Sequence, residues 1–150
     1  MDLILWRHAD AEDGSDDLLR CLTPKGRKQA ERMGAWLDER LSKDVRLIAS
    51  QALRAQETAE GLSEHFKIDL RLNPDVPAAN YLAVADWPHA GGQVVLVGHQ
   101  PTIGRVASRL LTGLEADWSV KKGSIWWLQS RLRDGERQTV LKLLMTPDQL

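Results

Sequence analysis

Leu3-Ile4-Leu5-Trp6-Arg7-His8 is an apolar run that ends on a guanidinium and an imidazole. It reads as a strand, and a second such run, Val94-Val95-Leu96-Val97-Gly98, ends in the same way on His99. In open α/β sheets the ligand lies beyond the carboxyl ends of the parallel strands, so both imidazoles are expected in one crevice. A third apolar stretch, 45–49, gives way to Ser50-Gln51-Ala52-Leu53-Arg54-Ala55-Gln56-Glu57-Thr58, which places Arg54 in the first turn of a helix near the same edge. Two arginines and two histidines at strand ends make a pocket for a compact dianion, and phosphate is the obvious candidate.

The remaining elements follow from local pattern. Thr23-Pro24 reads as an N-cap with proline at the first helical position, and Ala30, Met33, Leu37 and Leu41 recur at helical spacing behind it. A second helix carries Ala52, Ala55, Ala59, Leu62 and Phe66 on one face. Residues 68–72 alternate as a short strand, which Asn73-Pro74-Asp75-Val76-Pro77 breaks. From there to Gly92 the chain is loop-like with one short helix, and strand 93–97 leads into a helix that starts at Pro101. Residues 124–132 and 137–144 flank Asp134-Gly135, a strong hairpin signal. The alternation predicts an α/β fold: a three-layer α/β/α sandwich whose mixed, mostly parallel sheet is closed by a C-terminal antiparallel hairpin.

A chain of 150 residues with 43% apolar content predicts a single domain over 1–150. The formal charge of -1 provides no global field for nucleic acid or anionic lipid, so any positive potential is local. With no basic leader and no long apolar segment, the reading is a cytoplasmic protein without membrane association. The one cysteine, Cys21, excludes an intrachain disulfide, and no histidine pair has metal-ligand spacing. No metal or cofactor is expected, and the oligomeric state is left open.

A phosphomonoester carries nearly two charges and three acceptor oxygens, and the paired donors of Arg7 and Arg54 match such a group. A neutral imidazole held at one nitrogen can attack phosphorus with the other. By spacing alone either His8 or His99 can be that nucleophile. The helix beginning at Pro101 is expected to add its positive N-terminus and free N–H groups, with Gln100 among the substrate-binding residues.

Arg7-His8-Ala9, Ser50-x-x-x-Arg54-Ala55-x-x-Thr58 and Val97-Gly98-His99-Gln100-Pro101 together resemble the signatures of the histidine phosphatase (phosphoglycerate mutase-like) superfamily. The short chain and the closing Met145-Thr146-Pro147 are most similar to its SixA-type phosphohistidine phosphatases. Ala9 and Gln51 depart from the more frequent glycine and proline, and neither change removes a charge. The resemblance implies a metal-free, cofactor-free transfer in which His8 is phosphorylated and then hydrolysed, while Arg7, Arg54 and His99 complete the phosphate pocket. Larger members use an acidic residue after the third strand as general acid. Asp75 is the match by position and Asp10 is its rival, and either can equally cap a turn.

A phosphoramidate needs less acid help than an ester. Only about twenty residues, 73–92, lie where larger members insert a lid. Both points favour a phosphorylated protein, such as a histidine-containing phosphotransfer domain, over a small phosphomonoester. The other class of reading is a non-catalytic phosphate-binding module.

Cys21 to Arg27 also satisfies the Cys-x5-Arg spacing of cysteine-dependent phosphatases. With 13 arginines in 150 positions one such match arises by chance about once in twelve. Pro24 removes a donor that such a loop requires, and an acidic stretch precedes it where a buried strand belongs. That stretch, 12–17, reads as a solvated loop, and Lys121-Lys122 as a solvated turn, the alternative being a contact for an acidic partner. His65 and His89 read as structural or exposed. The six tryptophans read as core and sheet-face residues.

Overall fold

The computed structural model describes residues 1–150. Strand β1 (Asp2–Arg7) is followed by helix α1 (Pro24–Asp38), β2 (Arg46–Ala49), α2 (Leu53–Glu60), β3 (Lys67–Ile68), α3 (Ala78–Ala85), β4 (Gln93–Gly98) and α4 (Thr102–Thr112). The hairpin β5 (Ile125–Arg133) and β6 (Glu136–Met145) completes the sheet. The order is β3-β2-β4-β1-β5-β6, with β1, β2, β3 and β4 parallel and the last two strands antiparallel. Asp134 and Gly135 turn the hairpin with positive φ of 52° and 79°, the backbone that a two-residue primed turn requires.

Alternation along β1 sets the three layers. Leu3 and Leu5 face one core with Tyr81, Ile103, Val106 and Ala107 of α3 and α4. Ile4 and Trp6 face the other, with Met33, Leu37, Ala55 and Ala59 of α1 and α2. Strands covered on both faces are continuously apolar for this reason.

Helix α1 begins where Thr23 Oγ1 accepts from the Gly26 N–H at 2.9 Å, with Pro24 at the first position. It lies so close to α2 that a Cβ on Gly34 would fall 1.9 Å from the Gly61 carbonyl oxygen. Helix α2 stops at Glu60, beside that contact, and Leu62 and Phe66 lie beyond it although both still pack on the same core.

The strand expected at 68–72 is only two residues long and is followed by a 3-10 turn at Leu70–Leu72. Asp69 accepts from the Arg71 N–H and curls the chain, and of the alternating apolar residues only Leu72 is buried. The loop-like segment after it holds α3, whose Tyr81, Val84 and Ala85 are core. Trp6 and Trp127 are buried, as a core reading requires. No helix is long and apolar enough to cross a membrane.

Candidate active site

The sheet order reverses between β1 and β4, and their register pairs Arg7 with Gly98. His8 and His99 are the next residues of each strand, so they emerge side by side at the switch point. The register also pairs Ala49 with Val97, and the Ser50 N–H donates to the Val97 carbonyl at 3.1 Å, which levels the end of β2 with the other two. The ring centroids of His8 and His99 are 5.1 Å apart.

Each ring is held at one or more of its nitrogens. His8 Nδ1 lies 2.8 Å from the Ala9 carbonyl oxygen, which can only accept, so Nδ1 carries the proton and Nε2 keeps its lone pair. His99 Nδ1 faces the Arg54 guanidinium at 3.4 Å and accepts from it, which leaves His99 Nε2 to donate to Ser50 Oγ at 2.7 Å. Burial, reinforced by the Arg54 and Arg7 charges, holds the His8 ring well below the usual imidazole range, at about 4. Burial and the neighbouring His8 push His99 further, to about 2. Both rings are neutral at pH 7, and the positive charge among these four residues resides on the arginines.

Arg54 is 4% exposed. Its Nη1 donates to the Asp17 carbonyl and its Nη2 to the Asp17 carboxylate, at 2.6 and 3.1 Å. Arg7 Nη1 donates to the Val120 carbonyl at 2.7 Å. The Nε groups of Arg7 and Arg54 are buried without any partner in the fold. Two buried N–H donors on cations at one cavity fit a bound oxyanion, since an unmade hydrogen bond there is unfavourable. Thr58 anchors the arrangement, accepting from the Ala9 N–H at 3.0 Å and donating to the Arg54 carbonyl at 2.7 Å.

Arg7, His8, Arg54, His99 and Gln100 line one cavity of about 310 Å³ whose other lining residues are charged apart from Pro74. A larger depression of about 680 Å³, which includes Val45, Phe66 and Val84, contains none of them. Asp75 lines the cavity too, exposed and with a positive φ of 65°.

Asp10 does not line the cavity. Its carboxylate accepts from Thr23 Oγ1 and Lys122, and these contacts hold it below the usual carboxylate range. Gln100 lines the cavity, and its side chain donates to the Trp118 carbonyl and accepts from the Gly104 N–H, both at 2.7 Å. It therefore caps α4, and the helix, which starts one residue after Pro101, has fewer free N–H groups than expected. His65 and His89 are exposed and outside the cavity.

Asp17 and Arg20 also line the cavity. They sit on and beside a 3-10 turn, Asp17–Leu19, which begins at the last residue of the stretch expected to be a solvated loop. The only sequence hint was Arg20 following a run of acids, and composition does not distinguish such a turn from a loop.

The sheet order, the layers and the polar hollow at the switch point define an α/β protein of the phosphoglycerate mutase-like fold. The model of the histidine phosphatase superfamily (branch 1) matches residues 3–87, and the chain belongs to that superfamily and is a phosphatase. It is 29% identical to the phosphohistidine phosphatase SixA homolog of Haemophilus influenzae over 126 residues, 73% of this chain and 77% of that protein. With phosphohistidine phosphatase SixA of Escherichia coli it shares 26% identity over 122 residues, 75% and 76% of the two chains. Among solved structures, the protein histidine phosphatase SixA complexed with tungstate superposes with a TM-score of 0.83 at 23% identity, covering 99% of both chains.

Proposed function

We propose that the chain is a single histidine phosphatase domain that removes the phosphoryl group from a phosphohistidine on another protein, with His8 as nucleophile. The observation that carries this is the His8 ring itself: its Nδ1–H is tied to the Ala9 carbonyl, its Nε2 lone pair is free, and it stands beside two arginines with partnerless Nε groups. His8 Nε2 attacks phosphorus, the bond to the departing imidazole breaks, and that imidazole leaves carrying the proton it took up before cleavage. Water then attacks the phosphorus on His8, the N–P bond breaks, and inorganic phosphate leaves with the ring restored. Arg7 and Arg54 stabilise the charge on the equatorial oxygens at both steps. His99, held between Arg54 and Ser50, gives the pocket its remaining wall.

A cavity lined by charged and polar side chains, with Pro74 at one side, fits the phosphoryl group better than an apolar carbon skeleton. The relatives named as phosphohistidine phosphatases support the same choice, and the tungstate complex of a solved neighbour fits a phosphoryl site in this fold. Asp75 at the rim is the side chain available to protonate a poorer leaving group. Asp10, tied to Lys122 and Thr23 outside the cavity, is not placed for it.

The test is acid- and base-quenched labelling with a phosphohistidine protein. An acid-labile, base-stable phosphoryl group on residue 8, lost in His8→Ala, is expected. A binding module forms none, and faster clearance of a sugar phosphate than of the phosphoprotein would overturn the substrate class.

A further inference from the structure

Lys121 and Lys122 meet the cations of α1 just outside the cavity. Lys122 lines the cavity and also a second hollow of about 380 Å³, together with Lys25 and Lys121. Lys25 and Gln29 continue into a third hollow of about 470 Å³ with Lys28 and Arg32. Neighbouring hollows share residues and make one trough, lined by charged and polar side chains and by Pro24 and Pro147, that leads from the histidines along the start of α1.

Five cations line its two outer hollows against two carboxylates, Asp10 and Asp148. Asp10 neutralises Lys122 at 3.0 Å, and Arg32 donates to the Leu150 carbonyl. Lys25, Lys28 and Lys121 are exposed and have no ion-pair partner, whereas Arg20, Arg27, Arg71, Arg105 and Arg109 each pair with an acid. Lys25 lies in the first turn of α1 and Lys28 just after it, with no acid in that turn to balance them. The positive end of a helix disfavours cations there. The arrangement is poor for helix stability and well suited to an anion. It is also local, since the chain as a whole carries -1.

We propose that this trough docks the acidic surface of the phosphorylated protein that presents its phosphohistidine to His8. The proposal rests on the phosphohistidine-protein reading above. A protein surface of mixed charge can pair with Lys25, Lys28 and Lys121 while tolerating the nearby Asp148 carboxylate, which repels a uniformly anionic strand. Contacts of this kind speed encounter more than they slow release, which suits an enzyme that must free its product.

The test uses two short peptides around one histidine, one flanked by aspartate and glutamate and the other by asparagine and glutamine. In unphosphorylated form, only the acidic peptide is expected to shift the amide resonances of residues 25, 28 and 121. High salt and the triple variant Lys25→Gln/Lys28→Gln/Lys121→Gln are expected to erase those shifts. With the phosphorylated peptides, the variant should lose about tenfold in kcat/KM on the acidic one through KM, while its turnover of free phosphohistidine is unchanged. Identical behaviour of the two peptides, equal use of the acidic phosphopeptide by variant and wild type, or tighter binding of an RNA oligomer or anionic vesicle at those residues would overturn the docking. If the shifts appear but neither phosphopeptide is cleaved, the docking stands and the phosphohistidine reading falls.

Discussion

The carboxylate and the main-chain carbonyl of Asp17 both accept from the Arg54 guanidinium, at 3.1 and 2.6 Å. An anion entering the cavity meets this acid at the guanidinium that would hold it. Asp17 is held ionised by its hydrogen bonds to Arg20 and Arg54, so it opposes a phosphate rather than donating a proton to it. Asp17→Asn keeps an acceptor for Arg54 and removes the negative charge. Inorganic phosphate and tungstate should then inhibit at concentrations about two- to fivefold lower, a modest gain because the Asp17 side chain is half exposed. Weaker inhibition would mean that Asp17 chiefly organises Arg54.

The two buried rings make stability depend on pH. His8 and His99 have folded values of about 4 and about 2, against about 6.5 in the unfolded chain. Between those values the unfolded state binds more protons, so stability is full above about 6.5 and falls as pH drops. From pH 7 to pH 5 the loss should be on the order of 2 kcal/mol per ring. Urea denaturation of wild type and of His99→Gln at the two pH values measures it. The variant should lose about half as much as the wild type, and equal losses would show that His99 is not the titrating group.

The sheet and the four converging residues were legible because they sit on its most regular parts. β1 and β4 are long apolar runs, and once they pair in parallel the positions after them are neighbours. What escaped lies where one side chain decides the local chain path. Asp69 bends a two-residue strand into a turn, α2 stops at Glu60 where Gly61 meets Gly34, and the Gln100 side chain reaches the Gly104 N–H at the start of α4. Asp17 escaped because its partner, Arg54, is 37 residues away, a distance that no local pattern encodes.

Cys21 lies beside the antiparallel bridge between Ala11 and Leu22, and its carbonyl accepts from the Glu12 N–H at 2.8 Å. The Leu22 N–H is taken by Glu57 Oε1 at 2.8 Å and the Gly26 N–H by Thr23 Oγ1, so the segment after Cys21 is no ring of free donors for phosphate. Cys21→Ser should leave kcat/KM within about twofold of wild type, as expected for a substitution away from the reacting groups. Loss of turnover in that variant, with His8→Ala still active, would restore the thiolate mechanism.

Tyr81 joins the core to the site. Its hydroxyl accepts from the His99 N–H at 3.1 Å and donates to the Leu72 carbonyl at 3.2 Å, so one buried group ties α3 both to the end of β4 and to the segment leading to Asp75. It lies so close to the strand that a Cβ on Gly98 would fall 2.0 Å from it, which explains glycine there. Tyr81→Phe keeps the ring and leaves two buried main-chain groups unpaired, at about 1–3 kcal/mol. Denaturation should show that loss. With His99 no longer held at its backbone, kcat should also fall by about tenfold, since roughly 1.4 kcal/mol of transition-state misplacement is enough. The same stability loss with kcat and phosphate inhibition unchanged would confine Tyr81 to packing, because a residue that only fills the core has no reason to alter turnover of the folded enzyme.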